Sequence, residues 1–501
     1  MGNKTSQMLH RLTSEHSHED KEGSSDGEIK RKQSKQYQTA SLQKLFQKLE
    51  LTADGQNAHP GELTRTTFEN AFSGPLQKFG ILLFSQMTHS GSNSFRDRIT
   101  REQFTKAGKE ILEIFDEKSV VKYYFHLFAS GKDHLTSENA KQMFEVSFSL
   151  TLSVSKIKYV EDERDGRVIG AMVTSLCGIE SKVSYEKFCK WLDSSCPHLF
   201  YGVHNWVVFV LTGSTLPEEM EMARVPQLEG VAARDNCTSM TILWLLSISL
   251  PPVFTRGQDG QGKSSQATGG LEHKTGVGRE SASTADGAIG GVTKDPMWTS
   301  MLLLRKMARL PQVQGWTLLY NSDQHGMSIN RFNTHVSSYR APTVTFLSFE
   351  GRNLYCLAVD KGWAESPQKF GGEDCRLIQM LPVYRVVQAG ENMVRWNEHA
   401  RGIPKGITVG CNGMSEVLSI PHDFDTVVHY GVPCALHKIE VWGCGSETAL
   451  ASQKSQRNWE LKQVRREQGR KLRLDETWND CPDKQLLQWN GVNVGNHSYD
   501  R

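Results

Sequence analysis

Apolar residues in the first half of the chain recur at helical spacing, whereas beyond Gly315 they fall in short runs broken by Gly, Pro, Asn and Asp. A stripe at i, i+3 and i+4 buries one face of a helix, and a short run between turn residues buries a strand. Ser41 to Leu49 and Glu110 to Phe128 carry such stripes, so each is expected as a packed helix. A second pattern overlies the first: an aliphatic residue, then Ser or Thr, then usually Phe four positions after the hydroxyl. It occurs as Leu63-Thr64 with Phe68, Ile99-Thr100 with Phe104 and Val183-Ser184 with Phe188, while Leu135-Thr136 has Ala140 in the last place. Near-regular recurrence of one signature implies related helix-loop-helix units. The hydroxyl suits a helix N-cap, and Thr100 with Gln103 has capping-box spacing.

This layout resembles an EF-hand array, in which the aliphatic residue holds loop position eight. Calcium requires oxygen donors at loop positions one, three and five and a bidentate Glu at twelve. Here those places hold Gln56, Ala58, Pro60 and Thr67; Ser92, Ser94, Arg96 and Gln103; Phe128, Ser130, Lys132 and Asn139; and Leu176, Gly178, Glu180 and Lys187. None of the four sets can chelate the ion, so a helical scaffold without calcium is expected over residues 40–230.

The stretch Met240 to Leu250 is the longest apolar run and is shorter than the roughly 20 residues a bilayer demands, so a buried strand or helix is expected. Ten glycines between Arg256 and Lys294 predict a flexible insert, most simply a surface loop within a domain that begins near residue 238, with a linker between domains as the second choice. Strands are expected at Trp316 to Tyr320, Thr343 to Phe349, Leu354 to Val359, Cys375 to Leu381, Ile407 to Cys411, Glu416 to Ile420 and His437 to Trp442, forming an antiparallel sheet packed on a second one. Within them stand, in order, Trp316-Thr-Leu-Leu-Tyr320, Asp323-Gln-His-Gly-Met-Ser328, Ala341-Pro-Thr343, Lys361-Gly-Trp363-Ala-Glu-Ser366, Phe370-Gly-Gly-Glu-Asp-Cys375 and Ile439-Glu-Val-Trp442-Gly443. Together these resemble the TLDc domain. Ala341 and Val409-Gly-Cys-Asn-Gly413 depart from the usual glycine pattern of that family.

The resulting fold class is α+β: an N-terminal EF-hand-like all-helical region, a TLDc two-sheet antiparallel β-sandwich with flanking helices over 238–445, and a basic C-terminal helix over 446–476. Residues 1–39 are expected as a polar arm and 477–501 as a loose tail. Lys plus Arg number 58 against 56 Asp plus Glu, so no global field favours nucleic acid. Ten cysteines without regular spacing are read as reduced thiols in a cytosolic setting.

The start Met1-Gly2-Asn3-Lys4-Thr5-Ser6 matches the N-myristoylation pattern, making Gly2 the expected lipidation residue. One myristoyl chain anchors weakly, and Lys30, Arg31, Lys32 and Lys35 are candidates for a second, electrostatic signal. A lipid start, EF-hand-like helices, one TLDc domain and a basic tail resemble a lysosome-localised branch of the TLDc family. The resemblance implies a non-enzymatic adaptor on the cytoplasmic face of the lysosomal membrane, and also in the cytosol, that contacts mTOR complex components and supports growth signalling. The family also implies a second possibility, binding of subunits of the vacuolar proton-translocating ATPase, and a third, thiol-based protection against oxidation.

Candidate chemistry is sparse. Ser322, Asp323 and His325 offer the residue types of a hydrolase relay but crowd into one turn. His422, His429, Cys434, His437 and Cys444 include zinc-preferring donors without paired-ligand spacing. Cys375, Cys411 and Cys434 would need a cation or helix start to become reactive thiolates. No catalytic, metal or cofactor residue is therefore assigned. Calorimetric titration with calcium is expected to show no binding at millimolar metal, and heat at one-site stoichiometry would show that the loops chelate after all.

Overall fold

The computed structural model describes residues 24–51, 61–71, 76–89, 97–114, 116–154, 162–180, 182–212, 228–229, 237–255, 315–411, 416–479, 486–487 and 489–491. Gly2, the Arg256 to Lys294 insert and most of the expected tail lie outside them.

The chain begins with α1 (Ser24–Leu51), β1 (Glu62–Thr64), α2 (Arg65–Ala71), α3 (Gln77–His89), β2 (Arg98–Thr100) and α4 (Arg101–Leu112). A second set follows: α5 (Glu117–Phe128), β3 (His134–Thr136), α6 (Ser137–Val154), α7 (Glu163–Cys177), β4 (Lys182–Ser184) and α8 (Tyr185–Ser195). Then come α9 (Tyr201–Thr212), β5 (Leu228–Glu229), α10 (Met240–Ser249), α11 (Pro252–Thr255), β6 (Trp316–Asn321), α12 (Ser322–His325), α13 (Ile329–Val336), β7 (Thr343–Phe349), β8 (Asn353–Val359) and β9 (Ser366–Phe370). The remainder is β10 (Arg376–Leu381), β11 (Arg385–Ala389), β12 (Val394–Asn397), β13 (Gly406–Val409), β14 (Leu418–Pro421), β15 (Thr426–His429), β16 (Val432–Gly443) and α14 (Glu447–Asn479). The fold is α+β, with a helical N-terminal region, an antiparallel β-sandwich and a final helix. It divides into two compact units. The first comprises Met1–Gly315 with Gly351–Cys356 and Arg376–Gln388, and the second comprises Trp316–Glu350, Leu357–Cys375 and Ala389–Arg501.

In the first unit the four signature aliphatics meet in pairs. β1 runs antiparallel to β2 with Leu63 opposite Ile99, and β3 runs antiparallel to β4 with Leu135 opposite Val183. All four side chains are buried. Thr64, Thr100, Thr136 and Ser184 each accept a hydrogen bond from the backbone N–H three residues on, and Thr100 with Gln103 closes a capping box. Phe68 and Phe104 meet edge to face at 6.1 Å, and Phe188 lies 5.4 Å from Phe125. The signature is therefore a packing code: the aliphatic joins two loops and the aromatic roots each exiting helix in its core.

The twelfth loop position has other work. The Gln103 carboxamide oxygen accepts from Thr100 N–H, and that of Asn139 accepts from Thr136 N–H. In the fourth loop the Lys187 ammonium donates to the Cys177 carbonyl at 3.3 Å and the Glu180 carboxylate at 2.8 Å.

Two helices differ from expectation. Glu110 to Phe128 is not continuous: α4 stops at Leu112, and α5 begins anew because the Asp116 carboxylate accepts from Ser119 N–H at 2.8 Å. Helix α1 begins at Ser24, inside the stretch expected as an arm, since beyond Gly27 its residues include many strong helix formers and no proline. Its Leu42 and Phe46 are fully buried. The close approach of α1 to α4 depends on Gly108, where an added Cβ would lie 2.6 Å from a Leu42 methyl.

The run expected as strand or helix at the start of the sheet domain is α10, and it packs in the first unit. Trp244 lies 5.6 Å from Phe148, the Thr241 hydroxyl donates to Asp165, and the Ile248 carbonyl accepts from His198 N–H. A helix apolar around nearly all its circumference needs neighbours on every side, which a helical layer supplies. In the same unit Tyr384, fully buried just before β11, donates its hydroxyl to the Ser195 carbonyl at 2.6 Å. Its N–H donates to the Ala171 carbonyl at 3.3 Å, and its ring meets Trp191.

In the second unit β16 spans two sheets. Val432 to Ala435 pairs with β15, and the later residues lie between β6 and β7. From β15 the ladder continues antiparallel through β14, β13, β12 and β9. Phe332 of α13 fills the interior, 5.2 Å from Trp363, 5.7 Å from Trp396 and 5.5 Å from Tyr320. Each expected strand overlaps an observed one. Strands β9, β11, β12 and β15 were not anticipated, and Pro367 in β9 is consistent with its place at the end of the ladder.

Tyr384→Phe leaves the buried Ser195 carbonyl without its donor and is expected to cost about 1–3 kcal/mol. A thermal melt reads this as a lower Tm, and an unchanged Tm would show that the bond contributes nothing.

Candidate functional site

The three relay candidates on α12 serve the fold separately. The Ser322 hydroxyl accepts from Ile439 N–H at 3.1 Å, and the Asp323 carboxylate pairs with Lys438 at 2.7 Å. His325 Nδ1 accepts from Asn321 N–H at 3.1 Å, which directs that nitrogen to the backbone. Lys438 also pairs with Glu440, whose side chain is wholly buried, so the turn is clamped to β16 through charge as well as backbone. The five zinc-type candidates are dispersed: His422 and His437 are exposed, His429 packs against Phe349, Cys434 is half-buried and Cys444 is buried.

Hydrogen bonds join several of the family-like motifs. Trp363 donates its indole N–H to the Thr343 hydroxyl at 2.8 Å, joining two of them. The Asp360 carboxylate accepts from Gly372 N–H at 2.7 Å, Asp374 N–H at 3.3 Å and the Cys375 thiol at 3.2 Å. Gly371, at φ +117°, gives this turn a backbone conformation that other residues rarely adopt. Burial pushes the Cys375 thiol up to about 12; the Asp360 carboxylate adds to the rise, and backbone hydrogen bonds at Asp360 and Gly372 oppose it. The net rise is opposite to the shift that activates a thiolate.

Glu365, Glu398 and His399 form a group that sequence reasoning did not find, with candidate ligand atoms within 4.8 Å of one another. One Glu365 oxygen already accepts from Glu398 N–H, His399 N–H and His399 Nδ1 at 3.2, 3.0 and 2.6 Å. Burial raises the Glu365 pKa, but these hydrogen bonds outweigh it and hold the carboxyl below its usual range. The arrangement functions as a cap on the loop after β12, and a cation there would have to compete with three donors. Glu365 and Glu398 stand 33 positions apart in sequence, but no periodicity links them.

Helix α14 presents the clearest surface for recognition. Its first turns are fixed to α13: Gln453 donates to the His335 carbonyl at 2.9 Å, and the Arg457 guanidinium donates to the Thr334 carbonyl. Beyond Arg457 no described side chain of α14 bonds outside its own helix. Trp459, Leu461 and Val464 are 56%, 57% and 50% exposed among the exposed cations Lys462, Arg465 and Arg466. At 33 residues the helix is about 50 Å long, so most of it extends past its docked turns. Large apolar residues rimmed by charge characterise an interaction surface.

The docking point is sensitive to charge. His335 stacks on His325 with ring centres 3.9 Å apart. Burial, then His325, then Arg457 lower the His335 pKa to about 4, and His325 is lowered by burial and by Arg457 and Arg331. With a folded pKa below the ordinary 6.5, stability from neutral His335 is fully present above about pH 6.5 and is lost as pH falls toward 4. His335→Gln is expected to lessen the drop in Tm between pH 7 and 4.5; equal drops in both proteins would contradict this coupling.

No curated protein matches the chain at a significant level. The family model described as the TLDc domain matches residues 297–445, a span that covers β6 through β16 and the motifs around Trp363, Asp360 and Ile439. Residues 297–445 of this chain are a TLDc domain.

Proposed function

We propose that the chain is a non-enzymatic, membrane-tethered adaptor whose TLDc domain and C-terminal helix bind a protein partner at the cytoplasmic face of the lysosome. A TLDc domain is consistent with a protein-interaction or regulatory role. The observation that carries the reading is the undocked stretch of α14, where Trp459, Leu461 and Val464 stand exposed around the helix among Lys462, Arg465 and Arg466. Exposed apolar side chains among cations suit a partner that surrounds the helix with apolar and acidic groups. The separate structural tasks of Ser322, Asp323 and His325, and the raised pKa of Cys375, favour binding over hydrolysis or thiol chemistry.

In this proposal a myristoyl group on Gly2 confines the protein to a surface and raises its effective concentration for partners there. The partner is a component of the mTOR complex, and the output is support of growth signalling. Binding to the vacuolar proton-translocating ATPase is the alternative that the same surface would serve.

The test is a quantitative pull-down of the full chain from gently solubilised lysosomal membranes, beside Trp459→Ala/Leu461→Ala/Val464→Ala. Recovery of mTOR components is expected to fall by about tenfold or more in the triple variant, as for loss of an aromatic hot spot. Recovery of proton-pump subunits in their place would transfer the function to the pump, and equal recovery by both proteins would remove α14 as the contact. Gly2→Ala is expected to move the protein to the soluble fraction; an unchanged distribution would remove the lipid tether.

A further inference from the structure

A surface-open cavity of about 410 Å³ lies between α1, α2, α3, α4 and α9. It falls within the range of about 300–1,000 Å³ typical of small-molecule sites. Phe68, Leu83, Met87 and Phe104 form its buried wall, while Leu45 of α1 and Val210 of α9 line it nearer the surface. The polar chains Lys48 and Asn70 are exposed and thus belong to the rim.

This distribution selects a ligand class. Ordered water needs two to four polar partners, which the buried wall does not provide. A polar ring system would likewise need directional groups to orient it, whereas an unbranched hydrocarbon chain needs none. Lys48 makes no ion pair among the described residues, and its aliphatic stem can lie along the apolar rim while its ammonium stays hydrated. We propose that the cavity binds a single-chain fatty acid, with the hydrocarbon tail against Phe68, Leu83, Met87 and Phe104 and the carboxylate at Lys48. The site shares no residue with α14 and requires no lipid on Gly2, so it stands independently of the adaptor reading.

The experiment uses full-length Gly2→Ala protein, which excludes an attached acyl chain, titrated with the fluorescent fatty acid cis-parinaric acid and with its methyl ester. Saturable binding at one site per chain is expected, with displacement by palmitate. Val210→Phe and, separately, Leu45→Phe fill the space and are expected to weaken binding by about tenfold or more, equivalent to removing about 1.4 kcal/mol of binding free energy, without lowering Tm. Lys48→Ala is expected to weaken the acid but leave the ester unchanged. Absence of saturable binding, or affinity unmoved in both filling variants that retain the wild-type Tm, would overturn the site. Equal effects of Lys48→Ala on acid and ester would overturn the assignment of the carboxylate to Lys48.

Discussion

Two three-residue ladders hold the helix-loop-helix units together, with Leu63 facing Ile99 in one and Leu135 facing Val183 in the other. A short ladder alone supplies few hydrogen bonds, but burying a Leu, Ile or Val side chain contributes about 1.5–3 kcal/mol. Placing that burial at the midpoint of two loops fixes four helices at once, because each strand leads directly into a capped helix. The aromatic contacts Phe68 with Phe104 and Phe125 with Phe188 then extend the same constraint into the core. The cavity follows from this geometry: the ladder sets the spacing of the helices around it, and α9 supplies the remaining wall.

The second unit achieves rigidity differently. One long strand, β16, enters both sheets, and its Lys438 and Glu440 tie it to the α12 turn. Phe332 anchors α13 among Trp363, Trp396 and Tyr320, and α13 in turn receives α14 through its exposed carbonyls. The exposed apolar side chains of α14 therefore extend from a fixed base. Pre-ordering of this kind reduces the entropy lost when a partner binds.

Much of this was legible in sequence because burial imposes local rules. The aliphatic and hydroxyl positions marked the ladders and caps, and seven apolar runs marked strands that the sandwich contains. The break between α4 and α5 was missed because a helical stripe on either side concealed the capping role of Asp116. The start of α1 was missed because polar composition does not by itself exclude a helix whose later turns are anchored by Leu42 and Phe46. The packing neighbours of α10 were not legible because hydrophobicity records burial but not the partner. The Glu365, Glu398 and His399 group, and the cavity shared by five helices, arise from tertiary proximity that no linear spacing encodes.

Lys187 gives the fourth loop a charge that is part of the polypeptide, held against the Cys177 carbonyl and Glu180 carboxylate. A diffusible ion occupies its site according to its concentration, but a tethered ammonium is present at a local concentration fixed by its own side chain. The contacts that shape this loop are therefore supplied by the polypeptide itself.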